Sequence, residues 1–331
     1  MATVYHRDQP GAPALTYSAS VTGQAQYNAF KEILKATLVS GYESTQPAGW
    51  ELIYEADNSL ILRNGTRSGY VCFRRENTIS IVTVWLALTF SGVDSDGKII
   101  GHGVRSGTAS ASSLPHRLAM RALVGYSAST TWAMVADAGT FVLSLSPSSS
   151  ATPVEVNGQV GAAYEPSHTL YCGDDSAGDM ICMGGANISS INIASSYSGF
   201  GSAGFTCLKF PGTGLTVGEN SIVVSTPGAF NAQIHESVYD FPTGTVLPEV
   251  NLSPLYWLAD SAVRRLRGIA VDPILAMTFN SQASQALGGP PLTTRTMNTV
   301  LDLGDGHAYL VGRSYWRSAV TAFLTTNPEF W

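Results

Sequence analysis

Only 13% of this 331-residue chain is Asp, Glu, Lys or Arg, about half the share of roughly 25% usual in globular proteins. An apolar share of 44% with a mean hydropathy of +0.10 excludes global disorder, and a pI near 5.5 argues against a nucleic-acid-binding surface. Interspersed charge normally keeps a soluble monomer apart from its copies, so a net charge of -6 spread over 35.0 kDa implies a surface covered by neighbours: an assembly subunit.

The length suggests about two domains. The first twenty residues carry Pro10, Gly11 and Pro13 with few apolar positions and are expected to form an extended arm, 1–20, either reaching over an adjacent subunit or standing as a solvated tail. They lack the charged start, apolar block and cleavage site of a secretory signal, so no export is expected. From Gln24 to Val39, Tyr27, Phe30, Ile33, Leu34 and Leu38 recur at helical spacing, which predicts one amphipathic helix ended by Gly41.

Beyond it the chain reads in short strands rich in β-branched and aromatic residues: Trp50 to Tyr54, Ser59 to Arg63, Tyr70 to Arg74, Ile79 to Phe90, Lys98 to His102, Thr131 to Ala136 and Thr140 to Leu145. Asn64-Gly65 and Asp96-Gly97 have the chemistry of tight hairpins and Asp57-Asn58 that of a looser turn, so the pairing is expected to be antiparallel. Ile79 to Phe90 falls short of the roughly 20 apolar residues that span a bilayer, and no membrane insertion is expected. Leu114 to Val124 reads as a short helix. The low-complexity stretch Ser144 to Thr152 suggests a boundary near residue 150, dividing a helix plus antiparallel β domain, 21–150, from a second β-rich region, 151–331, with long Gly/Ser loops such as Ser189 to Gly204.

Downstream, Thr169 to Cys172, Asp179 to Met183, Thr206 to Phe210 and Ser221 to Ser225 resume the strand pattern. Leu255 to Ile269 reads as a short helix or edge segment, and Thr299 to Val311 with Tyr315 to Leu324 as one or two strands and a helix. The fold class is therefore mainly β or α+β, with antiparallel, sandwich-like sheets, one N-terminal amphipathic helix and few short helices.

The chemistry-bearing residues form no catalytic pattern. Six histidines have no partner at HxH or HxxxH spacing, no serine sits in a GxSxG elbow, and the glycine clusters lack the context of a P-loop or a dinucleotide fingerprint. No cofactor is expected. Cys72, Cys172, Cys182 and Cys207 lack CxxC pairing and read as reduced, buried thiols. Asp174, Asp175 and Asp179 form the strongest acidic cluster; without the closing Glu of a calcium loop they read as turn residues, with a cation as the alternative. Arg264, Arg265 and Arg267 form a local positive knot.

Several segments are similar, in order, to a family of tailed-bacteriophage virion structural proteins encoded among tail genes. The similarity lies in Tyr5-His6 with Pro10-Gly11-Ala12-Pro13-Ala14-Leu15, in Gly49-Trp50 after the helix, and in the Trp132 to Leu143 strand, acidic turn and Thr140-Phe141 strand. It continues in Leu170-Tyr171 with Gly173-Asp174 and Gly178-Asp179, and in Arg267-Gly268 with Asp272-Pro273-Ile274-Leu275. Ala136 stands where a glycine commonly precedes the Asp in that family, and Ile269-Ala270 follow the Arg-Gly pair.

The resemblance implies a tail or baseplate component in the virion, with no catalytic residues, whose partners are copies of itself and other tail or baseplate proteins. Interface residues are expected at Tyr5, Pro10 and Pro13 of the arm, at Tyr197 and Phe200, and at Arg264, Arg265 and Arg267. The alternatives are a receptor-binding module displaying Tyr197-Ser-Gly-Phe200 to a host-surface glycan or protein, and a glycan depolymerase with a spatially paired set of carboxylates.

Overall fold

Helical spacing at the N-terminus and alternating or unbroken apolar text thereafter give a mainly β fold with several antiparallel sheets and one N-terminal helix. The computed structural model describes residues 1–17, 23–76, 81–106, 116–119, 128–146, 154–156, 159–161, 168–184, 205–209, 223–225, 252–259, 262–272, 300–302, 304–312 and 321–331.

Two short strands, β1 (Thr3–His6) and β2 (Leu15–Tyr17), precede helix α1 (Gly23–Lys35), which widens into a π-helical turn over Ala36–Ser40. The predicted stripe is the buried one: Tyr27, Phe30, Ile33, Leu34 and Leu38 are all inside. At the widened end the Thr37 hydroxyl donates to the Ile33 carbonyl at 2.7 Å, and Gly41 at φ 74 stops the helix. The carbonyls of Thr37 and Leu38 are then capped by the amides of Ala48, Gly49 and Trp50.

Strands β3 (Glu51–Ala56), β4 (Ser59–Arg63), β5 (Tyr70–Arg75) and β6 (Ile81–Ala87) follow, then a small hairpin of β7 (Gly92–Val93) and β8 (Ile99–Ile100), and β9 (His116–Ala119). Next come β10 (Ala128–Ala136), β11 (Thr140–Ser146), a second small hairpin of β12 (Val154–Val156) and β13 (Gln159–Gly161), β14 (His168–Asp174), β15 (Met180–Gly184) and β16 (Phe205–Cys207). The last strands are β17 (Val223–Ser225), β18 (Ser253–Ala259), β19 (Ala262–Asp272), β20 (Val300–Asp302), β21 (Ala308–Gly312) and β22 (Thr321–Thr325), and a 3₁₀ turn at Pro328–Phe330 closes the chain.

Besides the two small hairpins, the described strands form three sheets. A central one runs β1-β10-β11-β14-β15-β16 with β2 also on β10; a first flanking sheet runs β3-β4-β5-β6-β9, and a second runs β17-β18-β19-β22-β21-β20. The central sheet is covered on both faces. Trp132, Met134, Phe141, Leu143, Leu170, Cys172, Met180 and Cys182 pack toward α1 and the first flanking sheet. Their neighbours along the same strands, Ala133, Val135, Val142, Tyr171, Ile181 and Met183, pack against Leu255, Trp257, Leu266, Ile269, Leu310 and Leu324 of the second. Antiparallel strands usually alternate apolar with polar because one face is wet; here both faces are dry, and so Ala133 to Ala136 and Met180 to Met183 are unbroken apolar text.

Four expectations are corrected. Of the expected arm, 1–20, the described residues 1–17 do not leave the body of the chain: β1 pairs with β10 from Thr3↔Ala136 to His6↔Ala133, β2 pairs with Thr130 to Ala128, and Tyr5 and Leu15 are core residues. The boundary expected near residue 150 does not separate two sheets, because β11 and β14, on either side of it, are paired neighbours in one sheet. The helix expected over Leu114 to Val124 is a strand where it is described: β9 pairs with β6 from Ile81↔Ala119 to Val84↔His116. Where it is described, Leu255 to Ile269 is neither helix nor edge but lies in the paired strands β18 and β19, and Thr321–Thr325 is strand β22, inside the second flanking sheet.

The turns agree more closely with their chemistry. Gly97 takes φ 82 in the β7-β8 hairpin, whereas the left-handed residue of the Asn64-Gly65 turn is Arg67, at φ 64.

Candidate functional site

At one end of the stack the turn after β4, the β10-β11 turn, the β14-β15 turn and the middle of β19 converge on a largely buried polar junction. Its centre is Asp174, 4% exposed, whose side chain reaches into the first flanking sheet. Asn64 Nδ2 donates to it at 2.9 Å, Thr66 Oγ1 at 2.6 Å, and the Ser68 hydroxyl adds a third bond. The Asp174 carbonyl accepts from Thr140 Oγ1 at 2.8 Å and from the Tyr171 hydroxyl at 2.6 Å. One residue thus ties two strands of the central sheet to a turn more than a hundred residues away in sequence.

Asp137 ties the same sheet to the second flanking one. Its Oδ1 accepts the amides of Gly139 and Thr140, both at 2.8 Å, which fixes the β10-β11 turn. Its Oδ2 meets Arg267 Nη2 at 2.6 Å, a charge-assisted bond between two mostly buried groups. Arg267 also donates from Nη1 to Thr140 Oγ1 at 3.0 Å and from its amide to the Tyr171 hydroxyl at 3.2 Å, and its guanidinium lies 5.4 Å from the Trp331 ring centre. The Tyr171 hydroxyl is therefore both donor and acceptor inside the protein, and burial pushes its pKa far up, so it stays protonated.

Asp175 makes the third link. Its Oδ1 takes the amides of Ala177 at 2.8 Å and Asp179 at 3.1 Å, and its Oδ2 takes the indole N–H of Trp257 at 3.2 Å. Burial raises its pKa, and the two backbone amides pull it back. Ser176 and Arg265 exchange backbone and side-chain bonds at 2.9 and 3.0 Å, and the Arg265 guanidinium holds the carbonyls of Glu329 and Trp331 at 2.7 and 2.8 Å. Asp179 pairs with Lys209 at 3.2 Å and lies 4.0 Å from Arg264.

Gly173 permits the close approach on which this geometry rests. Its φ is 131, and a Cβ there would stand 2.2 Å from the Gly139 carbonyl oxygen.

A second polar tie joins the opposite edges of the central and first flanking sheets. His116 on β9, fully buried, places Nε2 3.0 Å from the Gly184 carbonyl and Nδ1 3.0 Å from Thr206 Oγ1. A carbonyl only accepts, so the proton sits on Nε2 and Nδ1 takes the threonine hydroxyl. Burial pushes the His116 pKa down to about 4, so the ring is neutral at physiological pH.

The residues singled out from the sequence fall into different places. Tyr5 is completely buried, its hydroxyl donating to the Gln46 carbonyl at 3.0 Å. Pro13 is half-buried and accepts the Trp132 indole N–H at 2.8 Å, whereas Pro10 is exposed. Arg265 and Arg267 are engaged in the junction, and Arg264 is half-buried beside Asp179. Tyr197 and Phe200, with the Ser189 to Gly204 loop that carries them, lie outside the described residues. The structure brings Asp174, Asp175, Arg265 and Arg267 together, in a constellation that also needs Asn64, Ser68, Asp137 and Tyr171, which sequence spacing does not mark. Among the described residues, no three or more His, Cys, Asp or Glu side chains gather as a metal would require. The arrangement supplies position: each central carboxylate is met by donors from its own chain, and the cluster joins three sheets.

Compared with models of known families, with curated proteins and with solved structures, the chain matches none.

Proposed function

We propose that this chain is a structural subunit of a bacteriophage particle, a tail or baseplate component that assembles with copies of itself and with other particle proteins. In this reading it is not an enzyme, takes no cofactor and resides in the virion.

The observation that carries the proposal is the scarcity of charge, sharpened by where the charges go. From a total of 18 basic and 24 acidic side chains, Asp137, Asp174, Asp175, Arg265 and Arg267 are engaged in the junction. Lys31 is buried against the Ala56 carbonyl and Glu55. Fewer ionised groups then remain to keep copies apart in solution, and Leu52, Ile100 and Val263 stand exposed. A stack of sheets tied by buried polar bonds is also a suitable unit for a particle, since an interface holds its geometry only when the surface beneath it is rigid. The segments similar to tail-encoded virion proteins supply the particular particle.

Mass spectrometry of particles purified from cells that produce the chain tests the proposal. Peptides of the chain at a fixed ratio to the other particle proteins are the expected result. Particles that band without it would overturn the assignment.

A further inference from the structure

The four thiols are all buried and unbridged, but they are not equivalent. Cys172 on β14 and Cys182 on β15 stand directly opposite each other in the strand register, and both project into the core between the central sheet and α1. Cys207 lies beside Ile181 on the opposite face of the same sheet from Cys172 and Cys182, and Cys72 belongs to the outer face of the first flanking sheet. Directly opposed residues of an antiparallel pair have Cα atoms about 4.5 to 5.5 Å apart, inside the span of roughly 4.4 to 6.8 Å that a disulfide bridges.

We propose that Cys172 and Cys182 are a cross-strand disulfide site, reduced as the chain is made and closed when it meets a low-molecular-weight disulfide, so that the hairpin carrying Asp174, Asp175 and Asp179 is locked at its base. In the first step one cysteine thiolate attacks a sulfur of the small disulfide, forming a mixed disulfide and releasing one small thiolate. In the second, the other cysteine thiolate attacks the protein sulfur of that bond and releases the second small thiolate. Both cysteine protons end on the released thiols, and the small disulfide takes up the two electrons. Burial raises the Cys172 pKa, so the exchange proceeds when β14 and β15 part transiently rather than on the closed sheet. The bond then forms across the strands that set the three-sheet junction, fixing it after assembly conditions change from reducing to oxidising.

The test holds the intact chain with oxidised glutathione just below its unfolding midpoint, then counts free thiols after denaturation and maps the cross-linked peptides. The expected result is a fall from four free thiols to two, a single cross-link between positions 172 and 182, and a higher unfolding midpoint that reverts on reduction. In C72A/C207A the same treatment consumes both remaining thiols, and in C172A/C182A it consumes neither. Four thiols retained, or cross-links that instead involve Cys72, Cys207 or a second copy of the chain, overturn the assignment on the unsubstituted protein alone.

Discussion

Acidification should loosen the tie at His116 by an amount the structure sets. The ring is completely buried between a carbonyl and a hydroxyl, and burial takes its pKa from the ordinary 6.5 down to about 4. Between those values the unfolded chain binds a proton that the native chain refuses, so stability is complete above about pH 6.5 and declines as pH falls toward 4. A difference of one in pKa is worth roughly 1.36 kcal/mol, so the whole loss is about 3 kcal/mol, a large part of the roughly 5 to 15 kcal/mol that holds a domain folded. Urea unfolding at pH 7, 6, 5 and 4, run in parallel on the parent and on His116→Gln, isolates it. Glutamine keeps a donor for the Gly184 carbonyl and does not titrate. Asp175 works in the opposite sense: its raised pKa means the native state holds that proton more tightly, and stability falls as pH rises through it. That contribution is common to both proteins and cancels in their difference. The parent should lose about 3 kcal/mol more than the variant between pH 7 and 4. Parallel profiles would refute the buried, neutral assignment, as would an imidazole titrating near 6.5 by NMR.

Three further predictions concern the central sheet and its junction. Gly173→Ala places a Cβ 2.2 Å from a backbone oxygen at φ 131, and should lower unfolding free energy by about 3 kcal/mol or more in urea melts. Asp174→Ala removes the acceptor shared by Asn64, Thr66 and Ser68, so it should destabilise by at least about 3 kcal/mol; Asp174→Asn, which keeps one acceptor, should lose clearly less. Deletion of 1–17 removes the buried Tyr5 and Leu15 and bares the edge of β10, so the shortened chain should aggregate or fail to melt cooperatively. An unchanged melting curve would show that the segment is a free arm after all.

What is legible in the sequence is local. Tyr27, Phe30, Ile33 and Leu34 carry a helical period that is also their burial pattern, and Ser59 to Arg63 is a strand from first residue to last. Other elements depend on partners the sequence does not display. Thr3 to His6 looks like a polar tail because its buried apolar content is one tyrosine, which becomes core only when β10 lies beside it. Leu114 to Val124 has leucines, alanines and arginines at helical spacing, but His116 finds its two hydrogen-bond partners 68 and 90 residues downstream, and that pairing accompanies a strand. The junction is partly visible as an acidic run and an arginine knot, each of which reads alone as surface. Their meaning appears only across the 130 residues between Asp137 and Arg267 and the 110 between Asn64 and Asp174. The Asx-type bonds of Asp137 and Asp175 to amides two to four residues on are the one local signal that marks these carboxylates as structural.

Sedimentation equilibrium of the purified chain over a wide concentration range decides whether a surface so poor in charge associates with its copies. The expected weight-average mass is a multiple of 35.0 kDa, maintained or raised in high salt, since apolar contacts are not screened. A single species of 35.0 kDa at every concentration would contradict it.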